Sequence, residues 1–205
     1  MFHVMISRSR SARRYRSPLR KKQTALTREA ILQALVDEVA RSRPGEYGLA
    51  EVAERAGVSL RTLYRHFESR EALGLALEAA MAKQAVPPPP RELASLSAYP
   101  EALFAVFDEH APWVEAMLKV GEAGAIRQAG KPRRVAALRL PLAPLLARLP
   151  PERATAALAV IKHLISADAW KAMRDDFGLD GRAAGRAVGW AVQVLIDALE
   201  RKGTS

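Results

Sequence analysis

In the run Leu49–Phe67, LAEVAERAGVSLRTLYRHF, the residues Arg61, Thr62, Tyr64, Arg65 and His66 gather two guanidinium groups, two hydroxyls and an imidazole with no acid among them. Such a set can donate hydrogen bonds to phosphate oxygens and, through arginine, paired bonds to the acceptor edge of guanine. It is not a set for covalent or metal chemistry. The chain has no cysteine, which excludes disulfide frameworks, thiolate zinc sites and cysteine nucleophiles. Its four histidines are scattered, there is no glycine-rich phosphate loop, and no acid pair stands at a recognisable catalytic spacing. No enzyme activity, cofactor or metal is therefore expected.

These side chains can act together only if local structure puts them on one face. Leu49, Val52, Ala53 and Ala56 recur at helical spacing and predict a short helix over 49–56. Gly57 closes it as a left-handed cap, and Ser59 can cap a second short helix over 60–66. Two helices that cross closely need a small residue at the crossing, which is Ala53, and a turn residue tolerant of positive φ, which is Gly57. Val58, Leu63 and Phe67 pin the second helix, leaving the polar set outward. The pattern favours a helix-turn-helix over a plain helical hairpin whose basic face is merely solvated.

The rest of the chain reads as all-α. A first helix is expected from Thr27 as N-cap, with Ile31, Leu35 and Val39 buried, up to a stop at Pro44–Gly45. Another begins after Ser69 and runs through Leu73, Leu77 and Met81. The four prolines Pro87–Pro90 predict a stiff extended connector. Beyond it, helices are expected near 99–110, 111–127, 132–148, 151–176 and 180–201. In that scheme Pro132 opens the third, Pro141 and Pro144 kink or split it, Gly178 ends the fourth and Asp180 caps the last.

Composition bounds the class of protein. At 205 residues, 49 % hydrophobic and 26 % charged, the chain has enough apolar material for one large domain or two small ones. No apolar run reaches the length of a membrane span, and the opening residues are too quickly followed by arginine for a secretory signal, so a cytoplasmic location is expected. The net charge of +10 sits almost wholly in residues 1–28, which hold nine Lys or Arg and no acid. Three readings fit this Ser/Arg-rich arm: a solvated tail, a tail adding phosphate or minor-groove contacts, and an organelle transit peptide.

Over about Leu26–Leu73, and most clearly in AEVAERAGVSLRTLYRHFESREAL, the sequence resembles the TetR-type (TetR/AcrR-like) regulators. The resemblance is looser across the helical remainder. It implies a homodimer with an N-terminal three-helix DNA-binding domain, joined through its fourth helix to a larger helical effector domain. It also implies repression of transcription until a small molecule enters that domain. On this basis residues 1–22 are a basic, disordered arm and 23–86 the DNA-binding domain, with the helix-turn-helix at about 48–67. Residues 87–98 are then a Pro-rich linker and 99–205 the ligand-binding and dimerisation domain. The resemblance assigns Gly48, Ser59, Arg61, Thr62, Tyr64, Arg65 and His66 to double-stranded DNA, and Ala53, Gly57, Leu63 and Phe67 to the helix-turn-helix core. The chain departs from the family in two places. Gly48 replaces the usual Ser or Thr at the N-cap of the first of the two helices, and the lead-in before Gln23 is long. The remaining alternative is a ligand-independent DNA-binding or architectural protein that uses the basic arm.

Two further sets follow from helix patterning. Leu158, Ile161 and Ile165, with Val188, Val192 and Leu195, belong to helices apolar over more than one face, as expected of a central or shared helix. Gly181, Gly185 and Gly189 repeat every four residues and mark close helix contact, either at a dimer seam or within one chain. Phe104, Phe107, His110, Trp113, Met117, His163, Trp170, Met173 and Phe177 are candidates to line an effector pocket, though ordinary core packing also accounts for each.

Overall fold

The computed structural model describes residues 18–43, 46–83, 86–121 and 125–202. Most of the basic arm, residues 1–17, lies outside the described residues, as does the expected stop at Pro44–Gly45. Among the described residues the structure is helical, without strands. The chain begins with α1 (Pro18–Arg41), α2 (Leu49–Arg55), α3 (Leu60–His66) and α4 (Arg70–Lys83). After the prolines and a short 3₁₀ turn at Leu93–Ser95 come α5 (Tyr99–Glu109), α6 (Ala111–Gly121) and α7 (Ala125–Leu146). The last three are α8 (Pro151–Leu164), α9 (Ala167–Phe177) and α10 (Gly181–Lys202).

Two apolar cores organise these helices. The first is built from Ile31, Leu35 and Val39 of α1, Val52 and Ala53 of α2, Leu63 of α3, Phe67, and Leu73 and Leu77 of α4. The second collects Phe104, Phe107, Trp170, Leu142, Ile161, Val188 and Val192 among others, with Met81 from the far end of α4. Thus α4 serves both cores. So does the region of α6: Ala116 and Val120 complete the first core, Val114 belongs to the second, and Trp113 packs against both. Lys119 adds a hydrogen bond from Nζ to the Val39 carbonyl at 3.2 Å.

Several elements differ from their sequence expectations. Residues 18–26 are helical, so α1 is already formed before Thr27. Thr27 does not cap it; its hydroxyl donates to the Gln23 carbonyl one turn back at 2.9 Å. Leu, Arg, Lys, Gln and Ala in this stretch all favour helix, which outweighs the lack of burial there. Pro132 lies inside α7 rather than opening it, and Pro141 and Pro144 do not split that helix. An interior proline costs about 3 kcal/mol. Leu138, Leu142, Leu145 and Leu146 are each at least nine-tenths buried, and every such leucine returns ~1.5–3 kcal/mol. Burial wins.

The predicted helix over 151–176 is in fact α8 and α9, broken at Ile165–Ser166. Ser166 is the cause. Its backbone is extended (φ −140°, ψ 160°), and its hydroxyl accepts from the Ala169 N–H at 3.2 Å while donating to the His163 carbonyl at 2.6 Å. Likewise the expected helix over 111–127 ends at Gly121. The expected caps at Ser69, Gly178 and Asp180 are present: Ser69 accepts from Ala72, Asp180 accepts from Ala183, and Gly178 has φ +66°.

The apolar stripes of α8 and α10 are committed largely to the interior of the chain. Leu158, Ile161, Ile165, Val188 and Val192 are buried in the chain's own second core. Gly185 presses α10 onto the start of α5, and Gly189 presses it onto the segment just before α5. A Cβ on Gly185 would lie 2.4 Å from Glu101 Cα, and one on Gly189 would lie 2.2 Å from the Ser97 carbonyl oxygen. The glycine repeat therefore serves packing within the chain. Of the apolar residues expected on a shared face, Leu195 alone is only half-buried.

Candidate nucleic-acid interface

Formation of the α2–α3 unit starts at its turn. Ala56 closes α2, Gly57 takes φ +66°, the Gly57 N–H donates to the Glu54 carbonyl and the Val58 N–H to that of Ala53. This double-bonded helix end requires a left-handed residue at Gly57. A Cβ there would meet nothing within 4 Å, so backbone conformation rather than crowding selects glycine. Ser59 then starts α3. Its Oγ accepts from the Thr62 N–H at 3.1 Å and shares a hydrogen bond with the Thr62 hydroxyl at 3.0 Å. The Ser59 and Thr62 hydroxyls thus hold each other at the amino-terminal turn of α3.

Leu63 and Phe67 are 1 % and 2 % exposed and pin α3 along one side against the small, buried Ala53, while Val58, expected to pin it too, is half-buried against the same core. The opposite side presents Arg61, Tyr64 and Arg65 to solvent, with Thr62 and His66 half-buried at its edges. The resulting surface is cationic and rich in donors. The His66 imidazole is held below its usual pKa by burial first and then by the Arg65 and Arg28 charges. Gly48 caps α2 with an extended backbone (φ −93°, ψ 137°) and no side-chain bond. The space a Cβ would fill is taken by the Glu51 carboxylate.

Sequence reasoning missed the residues that hold α3 from outside. Arg28, counted with the basic arm, donates from Nη1 to the His66 carbonyl at 2.6 Å and lies 4.2 Å over the Phe67 ring. It therefore caps the carboxyl end of α3 with α1. Arg70 sits 4.5 Å over the ring of buried Tyr47, tying the start of α4 to the α1–α2 loop. Burial raises the Tyr47 phenol above its ordinary pKa despite Arg70. Arg55 of α2 pairs with Glu38 of α1 at 3.0 Å. The only signals for these contacts in sequence were isolated arginines, which spacing alone cannot pair with distant aromatics.

Residues 44–77 match the family model for bacterial regulatory proteins of the tetR family. That segment, which spans α2, α3 and the first half of α4, is similar to the DNA-binding segment of tetR-family regulatory proteins. The chain has the fold of solved TetR-family regulators over most of its length. A tetR-family transcriptional regulator from Streptomyces coelicolor superposes with a TM-score of 0.59 at 20 % identity, covering 86 % of this chain and 82 % of that one. A TetR transcriptional regulator from Rhodococcus sp. RHA1 gives 0.52 at 19 % identity, with 85 % and 97 % covered. A further transcriptional regulator from the same Rhodococcus gives 0.57 at 17 % identity, with 83 % and 96 % covered. No curated protein sequence matches the chain.

The effector-pocket candidates are scattered differently. Phe104, Phe107 and Trp170 pack on one another, with ring centroids 5.8 and 5.7 Å apart, inside the second core. The Trp170 indole N–H donates to Asp108 at 2.8 Å, and the other Asp108 oxygen accepts from the Gly181 N–H. Asp108 is thereby committed to holding α9 and α10 against α5. Trp113, Met117, His110 and Met173 are half-buried, whereas His163 and Phe177 are exposed. Two surface hollows, of about 270 and 180 Å³, are lined by other residues. Among the described residues no helix is long and apolar enough to cross a membrane.

Proposed function

We propose that this protein is a homodimeric, cytoplasmic repressor that reads a near-palindromic operator with α3 and leaves it when a small-molecule effector binds. The observation that carries the reading is the split face of α3, with Leu63 and Phe67 buried and Arg61, Tyr64 and Arg65 outward. A single α3 reads few bases, and a two-fold pair placing two such helices about 34–36 Å apart reads two half-sites. The face offered for that pairing joins α8 and α10. Val160, Trp190 and Val194 stand 49 %, 73 % and 45 % exposed there. The 270 Å³ hollow beside them is lined by Ala156, Ala157, Leu195, Ala198 and Leu199 with Val160. Release by an effector would act through α6, which shares the first core and whose Glu115 pairs with Arg174 of α9.

One observation favours a second reading, DNA binding without an effector: the aromatic trio Phe104, Phe107 and Trp170 fills its own space. The direct test is selection of duplexes from a randomised pool by the purified protein. The repressor reading expects a two-fold-symmetric consensus, bound more weakly as salt rises. An asymmetric or absent consensus would overturn it.

A further inference from the structure

The stretch 18–28 of α1 carries Arg20, Lys21, Lys22 and Arg28 and no acid. Residues 18–26 are exposed throughout, so the chain spends about two helical turns that bury nothing. Stability does not explain the charges, since cations in the opening turns of a helix oppose its dipole. Their position does. Arg28 bonds the His66 carbonyl at the carboxyl end of α3, which makes this part of α1 continuous with the DNA-facing surface. Lys21 lies seven residues earlier, and at 100° per residue it returns to the Arg28 side of the helix, about 10 Å further along the axis. The major groove is about 12 Å wide, so that distance reaches the sugar–phosphate strand bordering the groove that α3 enters.

We propose that this exposed end of α1 is a second DNA-contacting element, in which Lys21 on the Arg28 side, with Arg20 and Lys22 about 100° to either side of it, takes backbone phosphates and Arg28 holds the helix in register with α3. The proposal rests on the reading of α3 as DNA-facing and adds a sequence-independent contact to it. Phosphate contacts release counterions, and each one steepens the dependence of log K on log salt by roughly 0.9. Three contacts per chain are therefore expected to add roughly 2–3 to the slope for each bound subunit.

The experiment measures binding of the full chain to a fluorescent duplex of mixed sequence across a salt series. The Arg20→Ala, Lys21→Ala, Lys22→Ala triple variant is compared with a control neutralising three exposed arginines of the other domain, Arg139, Arg148 and Arg182. Alanine is the best helix former, so the triple variant keeps α1, which circular dichroism checks. The expected result is a slope lowered by roughly 2–3 per bound subunit in the triple variant and unchanged in the control. An unchanged slope in the triple variant overturns the proposal alone. Equal losses in both variants also overturn it, because the effect is then one of net charge. If the wild-type chain binds no duplex at low salt, the DNA-facing reading of α3 fails and takes this proposal with it.

Discussion

Replacing Gly185 with alanine should loosen α10 from the start of α5 without touching self-association. The added Cβ would stand 2.4 Å from Glu101 Cα, 2.6 Å from the Pro100 carbonyl oxygen and 2.8 Å from the Glu101 nitrogen, where ordinary contact begins at 3.4 Å. All three atoms are backbone, so no rotamer change relieves the clash and the helices must part by about 1 Å. Overpacking of this kind costs about 1–3 kcal/mol, and its rigid partners place it near the upper end. Alanine in a helix interior returns ~0.5–1 kcal/mol relative to glycine. The net expectation is a loss of about 2 kcal/mol. Urea denaturation followed by circular dichroism, at two protein concentrations, reads it. The midpoint should fall by the same amount at both concentrations, and sedimentation should report an unchanged oligomeric state. A variant as stable as wild type but weaker in self-association would refute packing within the chain and return these glycines to a subunit seam.

Three further outcomes are expected. Trp190→Glu, which charges the exposed α8–α10 face, should weaken dimerisation by about 2 kcal/mol, the scale of an interface tryptophan; sedimentation equilibrium unchanged from wild type would remove this face from the dimer. His66 has its folded pKa lowered, so it contributes stability at neutral pH that is lost as pH falls through that lowered value. Phosphate nearby favours the imidazolium, so duplex binding should tighten below about pH 6.5, and His66→Gln should flatten that pH dependence; equal pH profiles would contradict it. Burial pushes the Tyr99 phenol up to about 12, and its hydroxyl donates to the Pro87 carbonyl at 3.1 Å. Stability from Tyr99 is thus complete below pH 10 and lost as pH rises toward about 12. Tyr99→Phe should cost about 1 kcal/mol at neutral pH and show a shallower alkaline transition, with buried Tyr47 supplying the remainder.

Legibility in the sequence followed the range of the interactions. The α2–α3 unit was readable because its determinants are local: Gly57 must be left-handed, Ser59 caps the next helix, and Leu63 and Phe67 fall on one side. Helix existence was equally plain elsewhere. Boundaries failed where a long-range term outweighed a local one, as when buried leucines carried α7 through Pro141 and Pro144. The break at Ser166 was hidden for the opposite reason, since apolar residues continue at helical spacing on both sides of a capping serine. Greasy faces on α8 and α10 were visible, but periodicity could not tell which face the chain would bury itself. The buried set proved to be Leu158, Ile161, Val188 and Val192, which leaves Val160, Trp190 and Val194 outside. Arg28 escaped because its partners stand 38 and 39 positions away in the chain.

The most direct measurement of how α3 works is the base preference of Arg61→Ala beside that of Tyr64→Phe, profiled over all single-base variants of the selected duplex. Loss of a base-reading arginine should cost ~1–3 kcal/mol and relax preference at one position in each half-site. Loss of a phosphate contact from Tyr64 should weaken all sequences alike. Profiles identical to wild type for both variants would place α3 outside the interface and contradict the DNA-reading role assigned to it.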